Sequence, residues 1–172
     1  MVKLVSLLER MKKTPIDLRV LAKLIPKSCK TMQFKQLKGK HRSEIFKDNE
    51  GIVVLIPSKV SKIGHFICLL PRRHHIEYFS SLGGDATSEM SKLGIEHQEV
   101  MMKLLGSNYI YNSKKLQTND FHINDCGCWM VARLYLRHLK LRQFQTLFTS
   151  SVNLQSSDDI VAMLCVLPFT EV

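Results

Sequence analysis

The spacing of apolar positions changes character twice along the chain. Over residues 3–12 and 15–25 they recur at the helical period. Thr14 as a cap, Pro15 at the first helical position, Asp17 in the first turn and Pro26 past the end delimit the second of these helices. From 29 to 51 the pattern dissolves into a basic, irregular stretch, CKTMQFKQLKGKHRSEIFKDNEG, with room for one short strand. GIVVLIP (51–57) and HFICLLP (65–71) are then unbroken apolar runs, and HHIEYFSSLGG (74–84) alternates before a glycine turn. Unbroken runs predict strands covered on both faces, hence central in a sheet. PRRHH is short enough for a hairpin between the last two.

Helical spacing returns over 89–105, through Ile95, Val100, Met101 and Leu104, and NYIYNSKKLQ (108–117) predicts a further strand. The strongest helical signal runs from Cys126 to Lys140. Cys128, Val131, Ala132, Tyr135 and Leu139 fall on one side and Arg133, Arg137 and Lys140 on another. Short helices near 143–149 and 157–164 complete the pattern. Strands in the middle and helices at both ends predict an α+β fold, a central mixed or antiparallel sheet flanked by helices.

Composition narrows the class. The 172 residues suit a single domain over 1–172, and 45% hydrophobic with 23% charged residues is ordinary for a globular protein. No apolar run approaches the roughly 18–20 residues that span a bilayer, so no membrane partner is expected. MVKLVSLLERMKKTP is interrupted early by Glu9 and Arg10, which predicts an amphipathic helix rather than an export signal. Five scattered cysteines, an odd number, fit no disulfide framework and leave thiol chemistry to catalysis or metal binding. A net charge of +10 favours polyanions, nucleic acid above all; a basic protein with no specific partner is the plain alternative.

The chemistry concentrates in LQTNDFHINDCGCWMVARLY (116–135), a polar, turn-rich stretch that passes directly into a helix. Asn124 and Asp125 are capping residues, which puts Cys126 in or beside the first helical turn. There the unpaired amides and the positive helix end stabilise a thiolate and can later bind an oxyanion. Gly127 would leave room for a substrate backbone. Alternatively, Cys126 and Cys128 are small apolar residues of a helix start, or zinc ligands with His122. A Cys-x-Cys with one histidine falls short of usual zinc spacing, and no metal is expected. A thiolate needs a base brought close by the fold. His74 and His75 sit beside Arg72 and Arg73, His138 and His41 lie in basic segments, and His122 is in a loop with little to hold its ring. His65 follows Gly64 at the mouth of a buried strand, where a rigid element can fix the imidazole.

GHF opening an apolar strand, IEYFSSLGG on the next and Q…NDCGCW starting a helix together resemble the adenain-like cysteine proteases. These are adenovirus-type maturation proteases related to those that process ubiquitin-like modifiers. CGxW…R followed by a long helix looks most like the versions from virophages, polintons and large DNA viruses. The resemblance covers about residues 50–140. It implies a papain-like adenain fold with the nucleophile at a helix N-terminus. The activity it implies is a viral cysteine endopeptidase that cleaves capsid or core precursors during maturation, in the virion and at assembly sites in host cytoplasm or nucleus.

Position by position, the resemblance implies His65 as general base, Cys126 as nucleophile and Gln117 as oxyanion donor beside the Cys126 amide. Phe66 would wall a narrow groove that admits small residues, and Trp129 would pack in the core. The family carries Asp or Asn in FDSxG. Here Ser80 holds that place, able to accept from the imidazole but uncharged, with Asp85 as fallback and Glu77 facing the opposite side of the sheet. Eight residues separate Gln117 from Cys126, which leaves Asn119 as an alternative donor. The family's use of DNA as a cofactor makes nonspecific DNA the expected partner and activator, with Arg133, Arg137 and Lys140 as contacts. No other cofactor is required. A protease of ubiquitin-like modifiers, and a non-enzymatic basic nucleic-acid- or capsid-binding protein with an inert Cys126, are the competing readings.

Overall fold

The computed structural model describes residues 9–61, 63–118, 124–149 and 156–166. Within these, the apolar runs form the middle of a five-stranded mixed sheet in the order β1 (Cys29–Gln33), β2 (Gly51–Ile56), β3 (His65–Pro71), β4 (Ile76–Phe79) and β5 (Ile110–Tyr111). β1 is parallel to β2, β3 is antiparallel to both β2 and β4, and β5 is parallel to β4. The helices are α1 (Leu18–Leu24), α2 (Arg42–Phe46), α3 (Ala86–Lys92), α4 (Gln98–Leu105), α5 (Cys126–Tyr135), α6 (Leu141–Thr149) and α7 (Ser157–Val166). Residues 9–13 are also helical.

Strand alternation sorts the core onto two faces of the sheet. Val53, Phe66, Cys68, Leu70 and Phe79 pack with α1, α5, α6 and α7. Val54, Ile67, Leu69, Ile76 and Tyr78 pack with α2, α3 and α4. Helices therefore cover both faces, which is why β2 and β3 are apolar without interruption.

Local chemistry moves several boundaries. α1 begins at Leu18 because the Asp17 carboxylate accepts from the Arg19 amide at 2.7 Å; Thr14 and Pro15 lie outside it. The basic stretch after residue 29 is more ordered than its sequence suggests, holding β1, a 3₁₀ turn (Phe34–Leu37) and α2. The helix expected over 89–105 breaks in two at Gly94, whose φ of +72° favours glycine. The strand expected over 108–117 shrinks to Ile110–Tyr111 because the Asn112 side chain substitutes for the ladder. Its Nδ2 donates to the Ser80 carbonyl at 2.6 Å, and its Oδ1 accepts from the Ser80 amide at 2.9 Å.

α5 is the central helix and is buried around its whole circumference from Gly127 to Leu134. Tyr135, expected inside, is exposed. The helix stops there rather than at Lys140, and Arg133 marks the stop by donating to the carbonyls of Leu136 and Leu139 at 2.9 and 3.1 Å. The same guanidinium is fully buried, pairs with Glu77 at 2.6 Å and lies over the Phe144 ring. Arg133 is therefore a clamp between α5 and β4, which corrects its expected role as a nucleic-acid contact. Glu77 faces α5 while Ser80 faces α3, as alternation requires. Among the described residues no helix is long and apolar enough to cross a membrane.

Candidate active site

His65 opens β3, with Ile56 as its partner across the ladder. Gly64 makes that entry possible: a Cβ there would stand 2.6 Å from the Ile56 carbonyl oxygen. The ring points to the α3 face of the sheet, where Ser80, the residue after β4, is its diagonal neighbour. Ser80 Oγ lies 3.0 Å from His65 Nε2, accepts from the Leu82 amide at 3.2 Å, and donates to a carboxylate oxygen of Glu89 on α3. Tyr78 donates to the other Glu89 oxygen at 2.5 Å. With the hydroxyl proton committed to Glu89, Nε2 is the donor to Ser80, so Nδ1 carries the lone pair that can act as base. Asp85 does not stand behind the imidazole; it caps α3 by accepting from the Ser88 amide at 3.0 Å.

Cys126 is the first residue of α5 and is half-buried. Its sulfur accepts from the backbone amides of Phe66 and Gly127, and Phe66 follows His65 on β3, although the ring borders a separate cavity of about 310 Å³ rather than the groove at Cys126. The described hydrogen bonds run from the ring to Ser80 and from the two amides to the sulfur, with none joining ring and sulfur. Catalytic hydrogen bonds are often completed only when substrate binds. Burial pushes the thiol up to about 11 against the pull of the two amides, and burial pushes the imidazole down to about 4. The resting pair is neutral. This corrects the expectation of a preformed thiolate, because desolvation outweighs the helix end.

Two further expectations change at this junction. Asp125 occupies the cap position without a capping side-chain bond, and Asn124 instead donates to the Lys12 and Lys13 carbonyls. Burial, followed by the neighbouring Asp158 carboxyl, pushes Asp125 up to about 8. Gly127 does not open space for substrate, since a Cβ there would meet the Ile16 side chain at 3.2 Å. The open space is a groove of about 490 Å³ lined by Ile16, Asp17, Leu55, Gly64, Phe66 and Cys126. Phe66 thus contributes a wall to the groove as well as an amide to the sulfur.

Gln117 is buried, and its Oε1 accepts from Ser81 Oγ at 2.7 Å. Ser81 also binds the Leu116 and Gln117 amides through its carbonyl, at 2.9 and 3.0 Å. Adjacent serines just past β4 therefore hold two candidate residues, Ser80 holding His65 and Ser81 holding Gln117. Gly83, with φ +66°, lets this turn touch the Lys114 backbone, 2.5 Å from where a Cβ would stand. Trp129 lies in the core, where its indole donates to Asp158 at 3.1 Å, and Asp158 also accepts from the Thr118 amide. Asn119 and His122 lie outside the described residues. Among those described, no three metal-ligating side chains cluster, and the free, buried Cys128 thiol lies beside the free Cys165 thiol of α7.

Of the basic stripe, Arg137 pairs with Glu50 and donates to the Leu134 carbonyl, whereas Lys140 is exposed. Lys140 lies on a separate groove of about 930 Å³ with Arg73, His74, Lys114, His138 and Arg142. Sequence reading overlooked this groove because its cations come from three segments. It also overlooked Glu89. The available signal was parity, since Tyr78 and Ser80 share a sheet face and an acidic helix start follows the glycine turn.

No known protein-family profile matches the chain. It is 31% identical to Uncharacterized protein V9 of Sputnik virophage in an alignment 106 positions long that covers 55% of this chain and 61% of that protein. The chain thus spans under two thirds of that relative. Solved structures with a similar course include the central domain of uncharacterized Lpg1148 from Legionella pneumophila. It has 13% identity and a TM-score of 0.48, and the alignment covers 90% of this chain and 95% of that one. Another is the SUMO protease Ulp1 with its catalytic cysteine oxidised to a sulfinic acid, at 13% identity and TM-score 0.46, covering 90% and 77%.

Proposed function

We propose that the chain is a cysteine endopeptidase acting on the structural precursors of a virus particle. The observation that carries the chemistry is the Cys126 sulfur on the Phe66 amide, one residue from an imidazole whose Nε2 is committed to Ser80. The viral setting is supported by the virophage relative.

In this reading the thiol proton passes to His65 Nδ1 as substrate enters the groove, and the sulfur attacks the peptide carbonyl. The Cys126 amide and the Gln117 carboxamide receive the oxyanion. Imidazolium Nδ1–H then protonates the leaving amine, and water, deprotonated by the same nitrogen, hydrolyses the thioester. Because the base is neutral above about pH 4, activity extends well into the acid range. Cys126→Ala removes the nucleophile and is expected to lower cleavage of a virion precursor by at least about 10³-fold. Cleavage retained in that variant refutes the reading. Running the assay beside conjugates of ubiquitin-like modifiers distinguishes substrate classes within the same chemistry.

We also propose that nonspecific DNA binds the cationic groove containing Lys140 and Arg142 rather than Arg133 and Arg137. The +10 charge and the convergence of exposed cations support it.

A further inference from the structure

Ser80 leaves the base without a charged neighbour, yet the hydrogen bonds do not end at Ser80. They continue from His65 Nε2 through Ser80 Oγ to the Glu89 carboxylate, which Tyr78 holds by its other oxygen. Glu89 is buried, comes from a different element, and is committed to the site through both oxygens. A buried carboxylate in this place would be costly without a compensating positive charge. Burial raises the Glu89 carboxyl, the Ser80 and Tyr78 hydrogen bonds and the Lys92 charge oppose that rise, and an imidazolium at His65 would add an enclosed cation.

We infer that Glu89 supplies, through the Ser80 hydroxyl, the negative charge that orients His65 and stabilises its protonated form. Glu89 is a positioning residue, and the inference rests on the peptidase reading. No proton travels the relay: Ser80 keeps its hydrogen toward Glu89, and Nε2 keeps its own toward Ser80. Only the electrostatic field of the carboxylate reaches the ring. The groups facing Glu89 are Tyr78 from β4, Ser80 just beyond it, the cap Asp85 and Lys92 of α3, and, around the adjoining cavity of about 310 Å³, His65 and Lys115. Lys92 and Lys115 are exposed, so solvent screens them, whereas His65 and Glu89 are enclosed together.

The test is kinetic, on the full chain with a precursor-derived peptide. Glu89→Gln keeps the acceptor for Ser80 and removes the charge. It is expected to lower kcat about 10- to 100-fold with KM unchanged and to move the acid limb of kcat/KM to lower pH. Ser80→Asp added to Glu89→Gln places a carboxylate directly on the imidazole and is expected to restore most of kcat and return the limb upward. A merely structural Glu89 would lower activity at every pH without moving the limb, and Ser80→Asp would not rescue it; that pattern overturns the inference. So does a Glu89→Gln enzyme within twofold of wild type. If wild type and Cys126→Ala cleave alike, the peptidase reading itself has failed, which is a separate result.

Discussion

His65 shows how burial decides a residue's chemistry. The ring is neutral in the folded protein down to about pH 4, while in the unfolded chain it titrates near 6.5. Below 6.5 the unfolded state binds the extra proton, so stability attributable to His65 falls as pH drops from about 6.5 to about 4, by roughly 3 kcal/mol in total. Asp125 has the opposite sign: raised to about 8 when folded, it contributes stability at low pH that is lost as pH rises from about 4 through about 8. Urea unfolding of wild type and His65→Gln at pH 7 and 4.5 separates the two, because the Asp125 contribution cancels in the difference. Equal differences at both pH values would contradict the His65 assignment. Asp125→Asn is expected to gain about 2 kcal/mol or more at pH 8.5 relative to its effect at pH 5.

The elements matter through their ends. β3 begins where β2 leaves no room for a side chain at position 64, so Gly64→Ala is expected to cost about 2–3 kcal/mol and to displace His65. Thermal unfolding checks the first effect and peptide cleavage the second. At its far end α5 is tied by Arg133 to Glu77, which Arg72 also pairs at 2.9 Å. Arg133→Ala strips a buried carboxylate of its better partner and is expected to cost about 3 kcal/mol, while Glu77→Gln with Arg133→Met recovers most of it. Equal destabilisation by the single and double variants would show that packing against Phe144, not charge pairing, sets the cost. The element pattern also explains what was legible. β2, β3 and α5 are long and strongly patterned, and the sequence places them well. β5 and the break at Gly94 depend on one Asn side chain and one positive φ, which periodicity does not register.

For the whole molecule the salient quantity is where the +10 charge lies. Helical periodicity assigns it to a stripe on α5, but in the fold Arg133 is neutralised and buried, and Arg137 is held by Glu50. The accessible cations gather instead where the β3–β4 turn, the segment after β5 and the start of α6 converge. Lys140→Glu with Arg142→Glu is expected to weaken duplex DNA binding and to flatten the plot of log affinity against log salt by about 2, one unit for each lost phosphate contact. Glu77→Gln with Arg133→Met should leave that slope unchanged. A reversal of these two results would return the DNA contact to α5.

The sequence by itself determined β2, β3, the start of the central helix and the placing of Cys126 there, because these follow from local period and turn residues. The family resemblance singled out Ser80 as the neighbour of the imidazole, and alternation set Glu77 on the opposite face. Only the tertiary structure decided the rest. Glu89 joins Ser80 because α3 folds back across β4, the Cys126 thiol stays protonated because burial outweighs two amides, and Arg133 leaves the surface because Glu77 lies opposite it. Each of these depends on the solvent and the partners that surround a group in space, and residue order fixes neither until the elements are packed.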